Sequence, residues 1–250
     1  MRTSVRALAH LVAVLLGVAV LGLASACSSP PAPAPEPTCS PPDPRPTLAP
    51  SSLTLPADPS VLVLGDSYTE GYGAEPETKG WAYLVGKPLG WKVTVKGVGG
   101  TGYVNQGPHL EGTYLQRLPS LRGGSYDLVV LQGGSNDRDT AYPLLQDAVA
   151  RTVDTVRAQF PAAKVVIMGP STPYGKPDGT RVLMQCVLAG YAAQQGLSFI
   201  DPIGETWFVD GDGDRYANPA NGHPSNAGYR HMADRFEQDA RVLLGTAKPS

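Results

Sequence analysis

Charge is scarce in this sequence. Only 17% of its 250 residues are Asp, Glu, Lys or Arg, the formal net charge is −2, and Lys and Arg are scattered rather than gathered into a patch. Binding to nucleic acid needs a basic footprint that neutralises phosphates, so no nucleic-acid partner is expected and a small neutral or weakly charged substrate is. Aromatic residues amount to 7%, which leaves the core to aliphatic side chains. No internal repeat is visible. The acidic run Asp210-Gly-Asp-Gly-Asp214 resembles the start of a calcium loop, but a loop beginning at Asp210 needs a glutamate where Asn221 stands. A solvated turn is expected there, with no metal and no other cofactor.

Long apolar runs are confined to the N-terminus. Residues 1–26 combine a basic start (Arg2, Arg6), an apolar stretch over 7–23 interrupted by His10, and the small residues Ala24-Ser25-Ala26. That pattern is an export signal and stands outside the fold. The stretch is borderline in length for a spanning helix, so an uncleaved anchor is an alternative. The ending resembles the lipobox of bacterial lipoproteins, which implies lipid on Cys27 and an outward-facing membrane anchor; cleavage after Ala26 and secretion is the competing expectation. Of three cysteines, Cys39 and Cys186 then remain as an even pair in an oxidising compartment, where a disulfide would staple linker to domain. A buried free Cys186 is the other reading. Residues 27–56 form a proline-rich linker, because a chain short of backbone donors stays extended. The domain is expected over 57–250, as a monomer.

Within it, strand and helix patterns alternate five times. The apolar runs at 61–64, 127–132, 164–168 and 197–200 read as buried strands, and 91–98, alternating apolar and polar, reads as an outer strand. Helices are expected over 81–89, near 113–121, over 141–160 (Leu144, Leu145, Ala148, Val149, Val153 and Val156 at helical spacing), over 181–195 and over 226–243. This order predicts an α/β fold, a three-layer α/β/α sandwich around a five-stranded parallel sheet of flavodoxin-like type. All strand exits then face one rim, where Gly65-Asp66-Ser67, the glycine-dense 97–102 and Gly134-Ser135-Asn136-Asp137 should meet. Ser67 is a candidate nucleophile there; its competing role is the N-cap of the following helix.

The segments Gly65-Asp66-Ser67, Gly97-Val-Gly-Gly100, Gly134-Ser-Asn136-Asp137 and Gly222-His223-Pro224 resemble, in order and spacing, the SGNH hydrolases, the GDSL esterase and lipase superfamily. The resemblance implies Ser67 as nucleophile, His223 as catalytic base, and the Ser67 and Gly100 amides with the Asn136 side chain as oxyanion-hole donors. Acyl transfer through serine needs those parts: a base for the hydroxyl proton and donors where negative charge develops. The family pattern also has an aspartate three residues before the histidine, and here Ala220 occupies that position. A backbone carbonyl near Ala220 is the expected histidine partner, with Asn221, Asp210, Asp212 and Asp214 as alternatives. The implied activity is ester hydrolysis through an acyl-Ser67 intermediate on a small-molecule, glycan or lipid ester; transfer of the acyl group to a sugar or glycan hydroxyl, and a binding lipoprotein without catalysis, are the rivals. Of the other histidines, His10 falls in the leader, His109 in a loop, and His231 is expected on the surface of the last helix. Trp81, Tyr103, Tyr114, Tyr174, Trp207 and Phe208 are expected mainly in packing, with an acyl or sugar pocket as the alternative role.

Overall fold

The computed structural model describes residues 52–247. The export signal, Cys27, Cys39 and most of the expected linker lie outside the described residues. Ordered packing begins before the expected boundary at 57: Leu53 is buried and its N–H donates to the Leu243 carbonyl at 2.9 Å. The apolar side chain has a place in the core, which outweighs the extended preference of its proline-rich surroundings.

Five parallel strands, β1 (Ser60–Gly65), β2 (Lys92–Gly97), β3 (Leu128–Gln132), β4 (Lys164–Met168) and β5 (Ser198–Ile200), pair in the order β2-β1-β3-β4-β5. β1 and β3 are buried along both faces and consist of near-continuous Val and Leu, whereas β2 is the half-exposed edge that its alternation predicts. Successive residues feed opposite layers. Val61, Val63, Val130, Val166 and Met168 pack with Trp81, Tyr229, Met232 and Phe236 on one side; Leu62, Leu64, Val129, Leu131 and Ile167 pack with Leu145, Val149, Val153 and Leu188 on the other. Each fully buried Leu or Phe of these layers contributes about 2–3 kcal/mol of transfer free energy.

In chain order the helices are α1 (Ser67–Glu70), α2 (Trp81–Leu84), α3 (Gly86–Leu89), α4 (Tyr114–Arg117), α5 (Tyr142–Gln159), α6 (Gly179–Gln194), α7 (Gly213–Tyr216) and α8 (Asn226–Leu243). The single helix expected over 81–89 is two short ones, because Pro88 has no N–H to return to the turn before it. α4 opens on a reciprocal capping box between Thr113 and Gln116 and continues as a 3-10 turn, Leu118–Leu121. On α5, Leu145, Val149, Val153 and Val156 form the buried stripe, but Leu144 is 63% exposed. One residue is 100° of rotation, which carries Leu144 off the stripe.

His231 is also not a free surface residue. Its ring stacks on Tyr216 at 4.8 Å, contacts Phe208 and bonds the Trp207 carbonyl, because the segment leading into α7 folds over this face of α8. Of the six aromatics singled out above, Trp81, Tyr103, Tyr114, Trp207 and Phe208 are core, and Tyr174 is exposed. The acidic run at 210–214 leads into α7, where the Asp212 carboxylate accepts the Val209 N–H. Cys186, on α6, is disulfide-bonded, and the sequence's two other cysteines lie outside the described residues.

Candidate active site

β1, β2 and β3 are neighbours, so the segments that leave them emerge side by side at one rim. At the end of β1, Asp66 caps α1 by accepting the Tyr68 N–H at 2.9 Å. Capping therefore falls to Asp66, and the Ser67 hydroxyl is free for another partner. That partner is His223 Nε2, 2.9 Å from Ser67 Oγ across 156 residues of chain.

The histidine arrives on a tight turn ahead of α8. Asn218 accepts the Gly222 N–H on its carbonyl, receives the N–H of Ala220 on its side chain, and donates its own amide hydrogen to the Gly73 carbonyl, so the turn is tied to the loop after α1. Ser225, the N-cap of α8, fixes the exit. Tyr68 and Tyr72 flank the imidazole with ring centroids at 5.4 and 4.9 Å.

His223 Nδ1 lies 3.2 Å from the carbonyl oxygen of Asn221. The expected neutral partner, a backbone carbonyl near Ala220, is that of Asn221. Gly222, at φ +73°, turns the chain so that the carbonyl two residues before the histidine comes under its ring. Asp210, Asp212 and Asp214 are not hydrogen-bonded to the imidazole. A carbonyl can only accept, which puts the proton on Nδ1 and leaves the Nε2 lone pair facing Ser67. Burial is the main cause that lowers the His223 pKa, with the Arg181 charge adding to it and the Asn221 bond opposing it.

The glycine turn after β2 comes close to the serine: a Cβ on Gly99 would lie 3.8 Å from Ser67 Cβ. Gly100 adopts φ +75°, and a Cβ there would fall 2.7 Å from Pro108. Asn136, after β3, donates Nδ2–H to the Thr101 carbonyl at 2.9 Å, so the amide side chain is tied to the Thr101–Gly102 peptide, just past Gly100. The structure thus joins Ser67 to His223, sets Gly99 against Ser67, and ties Asn136 to the loop that carries Gly100. Ala220 stays exposed on the histidine turn, and its N–H is occupied by Asn218.

Three supporting residues carry roles that the sequence reading did not assign. The Asp137 carboxylate accepts the N–H groups of Tyr103, Val104 and Asn105 at 2.8–3.0 Å and so holds the glycine loop; Gly102 leaves the room, since a Cβ there would be 2.3 Å from Asp137 Oδ1. Arg117 donates to the carbonyls of Gly65 and Lys96 and to Thr101 Oγ1, clamping the ends of β1 and β2 to the loop. Beneath them, Thr69 donates to Gln132 at 2.7 Å, and the fully enclosed Asp66 carboxyl is pushed up to about 7, chiefly by burial. Asp66 and Asp137 stand inside motifs legible in the sequence; for Arg117, in an unremarkable short helix, no sequence signal exists.

Residues 63–231 match the GDSL-like lipase/acylhydrolase family. A GDSL lipase of Mycobacterium tuberculosis is 31% identical over 186 residues, covering 70% of this chain and 79% of its own length. Among solved structures, a family two carbohydrate esterase from Clostridium thermocellum superposes with a TM-score of 0.62 at 19% identity, over 78% of this chain and 67% of its own. A carbohydrate acetylesterase from Sinorhizobium meliloti gives 0.59 at 17% identity, over 74% and 99%. The two structures agree with this chain in fold, and with the sequence matches the conclusion is that the chain belongs to the GDSL-like lipase/acylhydrolase family, within the SGNH superfamily of serine ester hydrolases.

Proposed function

We propose that the protein hydrolyses carboxylic esters of small alcohols or sugars through an acyl-Ser67 intermediate, with His223 as the base. The observation that carries this reading is the 2.9 Å contact between Ser67 Oγ and Nε2 of His223. His223 takes the hydroxyl proton as Oγ attacks the ester carbonyl, and the Ser67 and Gly100 amides with Asn136 Nδ2 receive the negative charge on its oxygen. The imidazolium passes its proton to the departing alcohol, and a water activated by the same ring then cleaves the acyl enzyme.

A histidine held by a neutral carbonyl keeps its tautomer and orientation but gains less stabilisation of the imidazolium than a carboxylate supplies. His223 is in addition partly buried, which disfavours its charged form. The enzyme should therefore stay active at lower pH than relatives whose histidine faces an aspartate. The carbohydrate esterases among its structural neighbours favour sugar acyl esters as a substrate class, and the lipase relative favours lipid esters.

The test is hydrolysis of p-nitrophenyl esters from acetate to long acyl chains, with acetylated sugars alongside, by the wild type and Ser67→Ala. Turnover lost in Ser67→Ala together with fluorophosphonate labelling of wild-type Ser67 is the expected outcome; activity retained in Ser67→Ala refutes the mechanism. We also propose export and lipid attachment at Cys27, which metabolic labelling with a fatty acid tests: Cys27→Ser should abolish incorporation. A labelled Cys27→Ser protein would refute attachment at that residue.

A further inference from the structure

Besides Tyr72, two tyrosines near the imidazole, Tyr68 and Tyr174, are left unused by the mechanism above, and the first turn of α6 brings Arg181 toward the same rim. Tyr68 follows Ser67 in α1; it is 5% exposed, and its ring is tilted against that of His223 with centroids 5.4 Å apart. Tyr174, in the loop after β4, is 46% exposed, and its hydroxyl comes within 3.4 Å of where a Cβ on Gly222, the neighbour of His223, would stand. Arg181 lies in the first turn of α6. That end of α6 reaches the same rim, since Met184, three residues on, lies against Gly134 in the exit of β3.

Asp178, the N-cap of α6, accepts the Arg181 N–H at 2.8 Å and holds Arg181 Nη1 at 2.5 Å. Arg181 Nε is buried and has no hydrogen-bond partner among the described residues. Burial is the leading influence on both the Tyr68 hydroxyl and the His223 imidazole, and the Arg181 charge acts on each as well, so the three share one electrostatic environment.

During acylation the imidazolium hands its proton to the leaving oxygen, and what surrounds His223 therefore surrounds the alcohol portion of the ester. We infer that Arg181, Tyr68 and Tyr174 form a subsite for an anionic group, a carboxylate or a phosphate, on that alcohol portion. The inference rests on the Ser67–His223 mechanism proposed above. A guanidinium already held at one nitrogen by Asp178 is preorganised and loses little freedom when it binds. Asp178 also offsets part of the charge, so the discrimination expected is modest.

Three acetates that share one acyl group test it: 3-hydroxypropyl acetate, 4-acetoxybutanoate and 3-acetoxypropyl phosphate, assayed by acetate release. The wild type should favour the two anionic esters about fivefold in kcat/KM at low ionic strength, and about 0.5 M salt should shrink that preference. Arg181→Gln should lower the anionic-to-neutral ratio about fivefold, mainly through KM; Arg181→Lys should recover part of it, and Tyr174→Phe, at an exposed site, should lower it about twofold.

A preference for only one of the anions identifies the source of the charge. No anionic preference in the wild type overturns the subsite, as does a ratio unchanged by both Arg181→Gln and Tyr174→Phe. Those results leave the esterase mechanism standing as long as the neutral ester is hydrolysed and Ser67 is labelled by a fluorophosphonate. If neither occurs, the mechanism fails and the subsite falls with it.

Discussion

Replacing Asn136 with alanine removes two hydrogen bonds of unequal weight. One Nδ2 hydrogen goes to the Thr101 carbonyl at 2.9 Å, a neutral bond worth about 1 kcal/mol to stability. The other is proposed to meet the oxyanion, and a donor of that kind is worth about 3–4 kcal/mol in the transition state, or about 10²–10³ in kcat. The two losses can be separated because the loop does not hang on Asn136. Asp137 accepts three of its N–H groups, each bond to a carboxylate being worth about 1.5–3 kcal/mol, and Arg117 holds Thr101 Oγ1. The Asn136→Ala protein should therefore melt within a few degrees of wild type, with kcat down about 10²–10³-fold and KM nearly unchanged, since a ground-state carbonyl carries little charge for the donor to stabilise. Steady-state kinetics on p-nitrophenyl acetate beside a thermal melt reads both quantities. A kcat within about fivefold of wild type in a folded variant would refute the oxyanion role.

The Ala220→Asp substitution restores a carboxylate to the histidine turn, and an anion near Nδ1 favours the imidazolium. The wild-type acidic limb should lie below the ordinary histidine range because burial lowers the His223 pKa, and in Ala220→Asp it should move to higher pH. A pH–kcat/KM profile measures this, and an unmoved limb contradicts the carbonyl-held model. Gly102→Ala should lower both activity and melting temperature, because the new methyl group would press on the Asp137 carboxylate from 2.3 Å and release the glycine loop. A variant as active and stable as wild type would show that Asp137 does not anchor the loop. Asp66→Asn tests a linkage. The folded-state pKa of Asp66 is raised from 3.8 to about 7, so the stability its protonation contributes is fully present below pH 3.8 and is lost as pH rises through 7. Relative to wild type, Asp66→Asn should gain stability across that window, by up to about 4 kcal/mol, while the amide oxygen still caps α1. Denaturant unfolding at pH 5 and pH 8 should show it, and a difference independent of pH would rule it out.

Much of this architecture was legible in the chain. β1 and β3 are unbroken Val and Leu runs because both faces of a central parallel strand are buried, and β2 alternates because it is the edge. The bounds of α8 could be read from Ser225 and its amphipathic spacing. Less legible was any feature decided by neighbours distant in sequence. Leu144 sits at a spacing that fits a buried stripe, yet rotation about α5 exposes it. His231 looks like a surface residue until the chain before α7 covers it. The division of labour between Asp66 and Ser67 was equally hidden, since either side chain can cap a helix and only the nearby imidazole distinguishes them.

Local chemistry in the sequence determined the strand runs, the turns that need glycine at Gly100 and Gly222, and the inventory of a hydroxyl, an imidazole and an amide. Backbone sterics and hydrophobic period act over a few residues and can be read directly. Only the tertiary structure decided which carbonyl near Ala220, that of Asn221, lies under His223, that Arg117 clamps two strand ends, and that the first turns of α6 pack against the exit of β3. Those relations depend on distances between segments far apart along the chain, which are set by strand order and packing and not by local propensity.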